Sequence, residues 1–178
     1  MKQIMLLLLL MTTLKSYSQN YPSIAGVKFG TDYKTCKEKF DNRFNRGQNS
    51  EQESVNFLLK YNTVSFADTF FDWVEFGFQT DIYGKSYLAS ADFIISYNLN
   101  EKENVKKKRD ELFDFYKQKY DFRWSGVDDN GWKYYVLGHD PINPDAGLIA
   151  IGVIQTPQYL FLSVGYGPIN FIDQKEEI

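Results

Sequence analysis

One histidine, one cysteine and five prolines are spread over 178 residues, and each scarcity closes a class of explanation. A lone cysteine, Cys36, cannot form an intramolecular disulfide in any compartment. A lone histidine, His139, excludes a zinc centre built on a histidine cluster. Twenty basic residues face twenty-three acidic ones, so the surplus of positive charge on which nucleic-acid binding depends is missing. No G-x-G-x-x-G, P-loop or G-x-S-x-G motif occurs, which leaves nucleotide binding and serine-hydrolase chemistry without a foothold. The longest apolar run, residues 4–11, is far shorter than the roughly 20 residues a membrane-spanning helix needs.

What is present begins with a leader. Lys2, the apolar stretch 4–11 and the small-residue site Ser16-Tyr17-Ser18 have the form of a secretory signal cut near Gln19. The expectation is a removed peptide over residues 1–19 and a periplasmic or secreted mature chain, with no membrane span. Loss of Lys2 and Lys15 takes the formal charge from -3 to about -5. No cysteine adjoins the cut, so lipid attachment is not expected there.

The chain also repeats itself. Lys37-Glu38-Lys39-Phe40-Asp41-Asn42-Arg43-Phe44 returns as Lys117-Gln118-Lys119-Tyr120-Asp121-Phe122-Arg123-Trp124. Val74-Glu75-Phe76-Gly77-Phe78 is echoed by Ile149-Ala150-Ile151-Gly152-Val153, and Ala91-x-Phe93-x-Ile95-x-Tyr97 by Leu160-x-Leu162-x-Val164-x-Tyr166. Such self-similarity points to two copies of one small unit.

Periodicity supplies the elements. After the apolar segment 24–29, Thr31 or Asp32 caps a helix whose stripe is Tyr33, Cys36, Phe40 and Phe44. Cys36 on that stripe reads as a small buried hydrophobe rather than a nucleophile. Period-two alternation marks strands around Val55–Tyr61, Val74–Phe78 and Ala89–Tyr97. Residues 61–63 and 81–85 read as turns. A second helix runs from Asn98, Asn100 or Asn104 to about Tyr120, with Val105, Leu112, Tyr116 and Tyr120 inward. Lys106-Lys107-Lys108-Arg109 then reads as a solvated face carrying pairs such as Glu103–Lys107. Three strands follow, within 132–137, 148–155 and 159–166, the first entered through the Asn130-Gly131 turn. The fold class is α+β: helix plus three antiparallel strands, twice, with both helices on one face of the sheet. One domain spans residues 20–172, its repeats covering about 20–97 and 98–168, and the polar residues 173–178 form a frayed tail.

This order resembles the β-lactamase-inhibitor-protein-like folds, in which tandem helix-plus-sheet units form a concave sheet that grips another protein. The resemblance covers most of the mature chain and is one of architecture. No family motif matches residue by residue, and the family's two-cysteine loops are absent. It implies a protein-binding role.

The residues themselves leave few chemical sites. His139 lies in Gly138-His139-Asp140-Pro141-Ile142-Asn143-Pro144, which reads as a rigid loop and not as an acid–base pair. Asp128-Asp129-Asn130-Gly131 lacks the ligand spacing of a calcium loop, with Gly126 and Leu137 where ligands belong, and reads as a turn. No cofactor is expected. The outward strand phases carry Trp73 and Glu75, with Phe71 before them, and Tyr159 and Phe161 on the last strand. Aromatics of this kind anchor protein interfaces, and Gly77, Gly152, Ser163 and Gly165 keep the same face shallow. Loops around 67–71 and 141–146 could instead cover these rings as a second small core. The reading carried forward is an exported, non-enzymatic module that recognises a protein through Trp73, Glu75, Tyr159 and Phe161. The alternatives are a small apolar or sugar ligand held in an aromatic-lined cavity, and an enzyme built on scattered carboxylates.

Overall fold

The computed structural model describes residues 21–44 and 58–170. The expected leader, residues 46–54 with Val55 and Phe57 of the expected strand after them, and the polar tail lie outside the described residues.

The apolar segment after Pro22 folds as a minimal hairpin, β1 (Ser23–Ile24) against β2 (Val27–Lys28). Asp32 then caps α1 (Tyr33–Arg43), its carboxylate accepting the Thr35 N–H at 3.0 Å. That bond holds the Asp32 carboxyl below its ordinary range. The stripe on α1 is buried through Cys36 and Phe40. Phe40 lies flat over Phe76, centroids 3.8 Å apart.

Seven strands form one antiparallel sheet: β3 (Leu58–Phe66), β4 (Thr69–Thr80), β5 (Ser86–Asn98), β6 (Phe122–Val127), β7 (Lys133–Leu137), β8 (Ile149–Gln155) and β9 (Tyr159–Tyr166). The strand order is β3-β4-β5-β9-β8-β7-β6, and α2 (Lys102–Tyr116) connects β5 to β6. The fold is therefore α+β, as the sequence implies. No helix among the described residues is long and apolar enough to cross a membrane.

Several details differ from the sequence reading. Residues 61–63 do not turn; they lie within β3, and the β3–β4 hairpin closes at Ala67 and Asp68, with φ of 50° and 58°. Two successive left-handed residues make the tight turn a hairpin favours, here without the glycine or asparagine that signals it. Phe71, grouped with the outward aromatics, is only 2% exposed. Pairing with β5 begins at Trp73. Beyond that point the hairpin end carries Phe66 and Phe71 onto Phe93, at 4.4 and 5.3 Å between centroids.

The second half holds four strands rather than three. Its helix ends at Tyr116, one turn before Tyr120, where the N–H groups of Lys117, Lys119 and Tyr120 satisfy the last carbonyls. Residues 117–120 turn instead, and β6 follows them as an edge strand whose Phe122, Trp124 and Val127 are all exposed. A strand with no buried face shows no inside–outside alternation, and so no period-two signal. The two copies of the K-x-K motif accordingly differ in structure. The first ends α1, and the second leads from the end of α2 into β6.

Arg109 is the other correction. It is buried, donating to the Lys133 carbonyl at 3.1 Å and to Asp110 at 2.9 Å, with its guanidinium 5.6 Å from the Tyr135 ring. The solvated ion pairs of α2 include Glu103–Lys106 and Lys108–Glu111, three residues apart rather than four. Under the helix, Tyr135 stacks on Phe113 at 4.0 Å, and the Tyr166 hydroxyl donates to that of Tyr116 at 2.9 Å.

Candidate functional site

β4, β5 and β9 lie side by side, and their cross-strand register sets which side chains share the outward phase. Lys60 of β3 pairs with Glu75 of β4, Glu75 with Asp92 of β5, Asp92 with Gly165 of β9, and Gly165 with Ala150 of β8. One row along, Trp73 pairs with Ile94, Ile94 with Ser163, and Ser163 with Gly152. Neighbours in such rows touch directly.

The four residues singled out from the sequence meet on this face. Trp73 is edge-on to Phe161, centroids 5.6 Å apart, and Phe161 lies 6.0 Å from Tyr159. Glu75 accepts from Lys60 at 2.9 Å, and the same ammonium stands 4.4 Å from the centre of the Trp73 ring. Lys60 thus ties Trp73 to Glu75 by an ion pair and a cation–π contact. Trp73, Glu75 and Phe161 are half-buried, whereas Tyr159 is 46% and the adjoining Ile154 56% exposed. The indole Nε1 of Trp73 is shielded from solvent and has no partner among the described residues, an uncompensated desolvation.

The loops proposed as a cover make their contacts elsewhere. The hairpin end at 66–71 packs on Phe93. The loop following β7 is pinned by Asp140, which accepts the N–H groups of Ile142 and Asn143 at 2.7 and 2.9 Å, and by Arg123, which donates to the Pro144 carbonyl at 3.1 Å.

Sequence reasoning passed over two groups here. Lys60 carries the only signal available, its outward strand phase. Asp92 carries the same phase, but nothing in one sequence separates it from other outward acids. It is half-buried, its Oδ1 would stand 2.6 Å from a β-carbon at Gly165, and it accepts no hydrogen bond from a described residue. Burial first, then the charge of Glu75, pushes its carboxyl up to about 6. Beside it lies a groove of about 290 Å³, floored by Gly152, Ser163 and Gly165 and walled by Tyr134 and Trp132. Both phases of β7 are apolar in sequence, and the structure turns Tyr135 to the helix and Tyr134 to the groove. Trp132 is buried, donating to Gln155 at 2.9 Å.

The remaining chemical groups are structural. Cys36 is fully buried, donates to the Thr31 carbonyl at 3.4 Å, and has its thiol pushed up to about 12 by burial, so a thiolate nucleophile is not at hand. His139 is exposed, with Nδ1 3.4 Å from the Pro144 carbonyl. Asp128 accepts from the N–H groups of Asn130 and Trp132, closing the turn through Gly131. Among the described residues no three His, Cys, Asp or Glu side chains gather as metal ligands.

Compared with family models, with curated proteins and with solved structures, the chain matches none.

Proposed function

We propose that the chain is an exported, non-enzymatic module that recognises a protein partner through this sheet face, as an inhibitor or an envelope factor does. The observation that carries the reading is the braced aromatic row Trp73–Phe161–Tyr159. Its inner ring is held by Lys60 and Glu75, and its outer ring is nearly half exposed. Rings already fixed in place lose little side-chain entropy when a partner covers them. A small-ligand site is the weaker reading, because the groove at Tyr134 lies on the outward face of the sheet rather than between sheet and helices, and the hollow of about 520 Å³ at the start of α1 is lined mostly by polar residues, Asp32, Lys34, Lys85 and Ser86 among them.

The same reading takes the chain as two helix-plus-meander units with both helices on the opposite face, in the manner of the β-lactamase-inhibitor-protein-like folds. It is supported by the position of β5 and β9, each the last strand of its half, at the centre of the sheet. Contacts of Phe40 with Phe76 and of Tyr116 with Tyr166 support the shared helical face. The strand echoes support it in order but not in register. Ala91 faces Tyr166 and Tyr97 faces Leu160, a reciprocal match about the Ile94–Ser163 pair. Yet Phe76 faces Ala91, while Leu160, the counterpart of Ala91, faces Gln155 rather than Ile151.

The test is capture from the envelope fraction of the source cell by the tagged chain, by its Phe161→Ala and Tyr159→Ala variants, and by Phe70→Ala as an exposed control off the row. A single protein held by the parent and the control, and lost by the row variants at unchanged melting temperature, is the expected result. Equal capture by all four removes the face from the function.

A further inference from the structure

The groove between Asp92 and Tyr134 has the lining of a site for one positively charged side chain. Its floor, Gly152, Ser163 and Gly165, is backbone and a small hydroxyl, so an incoming chain can lie close to the sheet. Ala150 and the Tyr134 ring offer apolar surface to an aliphatic stem. Asp92 stands at one wall and Asp128 at the other, and among the described residues no lysine or arginine lines the groove. Asp128 spends one oxygen on its own turn. Asp92 accepts no hydrogen bond from any described residue.

The charges around Asp92 explain why it is left over. On its β4 side Glu75 is the neighbour, and the nearby cation Lys60 is bound to Glu75 at 2.9 Å from the far side. On its β9 side stand Gly165 and Ser163, on β8 Ala150 and Gly152, and across the groove Tyr134 and Asp128, none of them positive. A half-buried carboxylate without a partner is costly. A neutral occupant would deepen that cost by excluding water, whereas a cation would remove it. Charge complementarity therefore selects the occupant.

We infer that this groove receives a lysine or arginine side chain of the protein partner, its stem against Tyr134 and Ala150 and its charged head on Asp92. The inference rests on the protein-binding reading of the face. It places a charged anchor beside the aromatic row, since Asp92 adjoins Glu75 and Ser163 adjoins Ile94, which pairs with Trp73. Aromatic anchors would then supply contact area, and Asp92 the choice among partner side chains.

The experiment uses the full chain labelled with nitrogen-15 and carbon-13, and two probes that differ only in charge: the acetylated amides of lysine and of norleucine. At pH 7.5 the lysine probe is expected to shift the backbone amides of Gly152, Ser163 and Gly165, at least about tenfold more strongly than norleucine at equal concentration. The lysine probe is also expected to lower the titration midpoint of the Asp92 carboxyl carbon in the unmodified protein, a readout that needs no variant to fold. Asp92→Asn is expected to abolish the preference for lysine while still unfolding in one cooperative thermal transition, at a midpoint no lower than the parent's. Equal shifts from both probes, no shift at these three amides, or an Asp92 midpoint indifferent to lysine each overturn the assignment. None of these outcomes touches the capture experiment above, so a failure of the groove assignment is distinguishable from a failure of the aromatic row.

Discussion

Lys60, Glu75 and Asp92 occupy one cross-strand row, two acids to one base, and the base serves the edge side. Asp92 is consequently a residue on which the fold gains by holding a proton. Burial and the neighbouring Glu75 push its folded carboxyl up to about 6, from an ordinary value of 3.8. The folded state therefore binds more protons between those values. The contribution to stability is complete below about pH 4 and is lost as pH rises through about 6. Asp92→Asn should remove this slope and leave the protein more stable than the parent at pH 7.5. The gain is on the order of 1–2 kcal/mol, allowing for solvent access through the groove. Urea denaturation of both proteins at pH 4.5 and 7.5 measures it. A variant less stable than the parent at pH 7.5 would mean that Asp92 accepts a bond which outweighs its desolvation.

At the scale of elements, the two helices differ in how they hold the sheet. α1 rests on aromatic overlap, with Phe40 stacked on Phe76 and fully buried. α2 adds polar contacts: Arg109 to the Lys133 carbonyl, Asp110 to the Tyr135 hydroxyl at 2.9 Å, and Tyr116 to Tyr166. Phe40→Ala should thus cost about 3–5 kcal/mol in urea denaturation, whereas Tyr166→Phe, which removes one donor, should cost about 1 kcal/mol. A cost for Phe40→Ala no larger than for Tyr166→Phe would show that α1 is not anchored by that ring. Where one face is buried and the other wet, as along β4, β5 and α1, sequence alternation names the inward residues correctly, Val74, Phe76 and Phe93 among them. Legibility ends where burial no longer follows a period. β6 has no buried face, Ala67-Asp68 turns without a glycine or asparagine, and Arg109 points inward because β7 offers a carbonyl there. On the candidate face, Trp73, Glu75, Tyr159 and Phe161 were legible as outward phase. Their convergence with Lys60 and the isolation of Asp92 depend on strand order, which alternation does not encode.

For the whole molecule, strand order has a mechanical consequence. β5 and β9 belong to different halves of the chain, and their pairing runs without interruption from Ala91–Tyr166 to Asn98–Tyr159. Through it, Phe93 of the first half packs against Tyr166 of the second, 6.1 Å between centroids, and Trp73 meets Phe161 on the other phase. The central seam of the sheet is therefore the junction of the two halves, and neither half can open without exposing the other's innermost strand. A single cooperative transition follows. Tryptophan placement supplies the probes: Trp73 lies in the first half, Trp124 and Trp132 in the second. A protein keeping only Trp73, with phenylalanine at 124 and 132, reports the first half by fluorescence. A protein keeping only Trp132 reports the second. In urea each should show one transition, its fluorescence midpoint equal to that from far-ultraviolet circular dichroism of the same protein. Fluorescence and circular dichroism midpoints that separate in either protein would mean that the β5–β9 seam yields first and that the halves are independent folding units. The row from Trp73 to Tyr159 would then be broken before either half unfolds, because Trp73 and Phe161 stand on opposite sides of that seam. Coincident midpoints would mean that recognition through this face and the integrity of the sheet are one property, lost together.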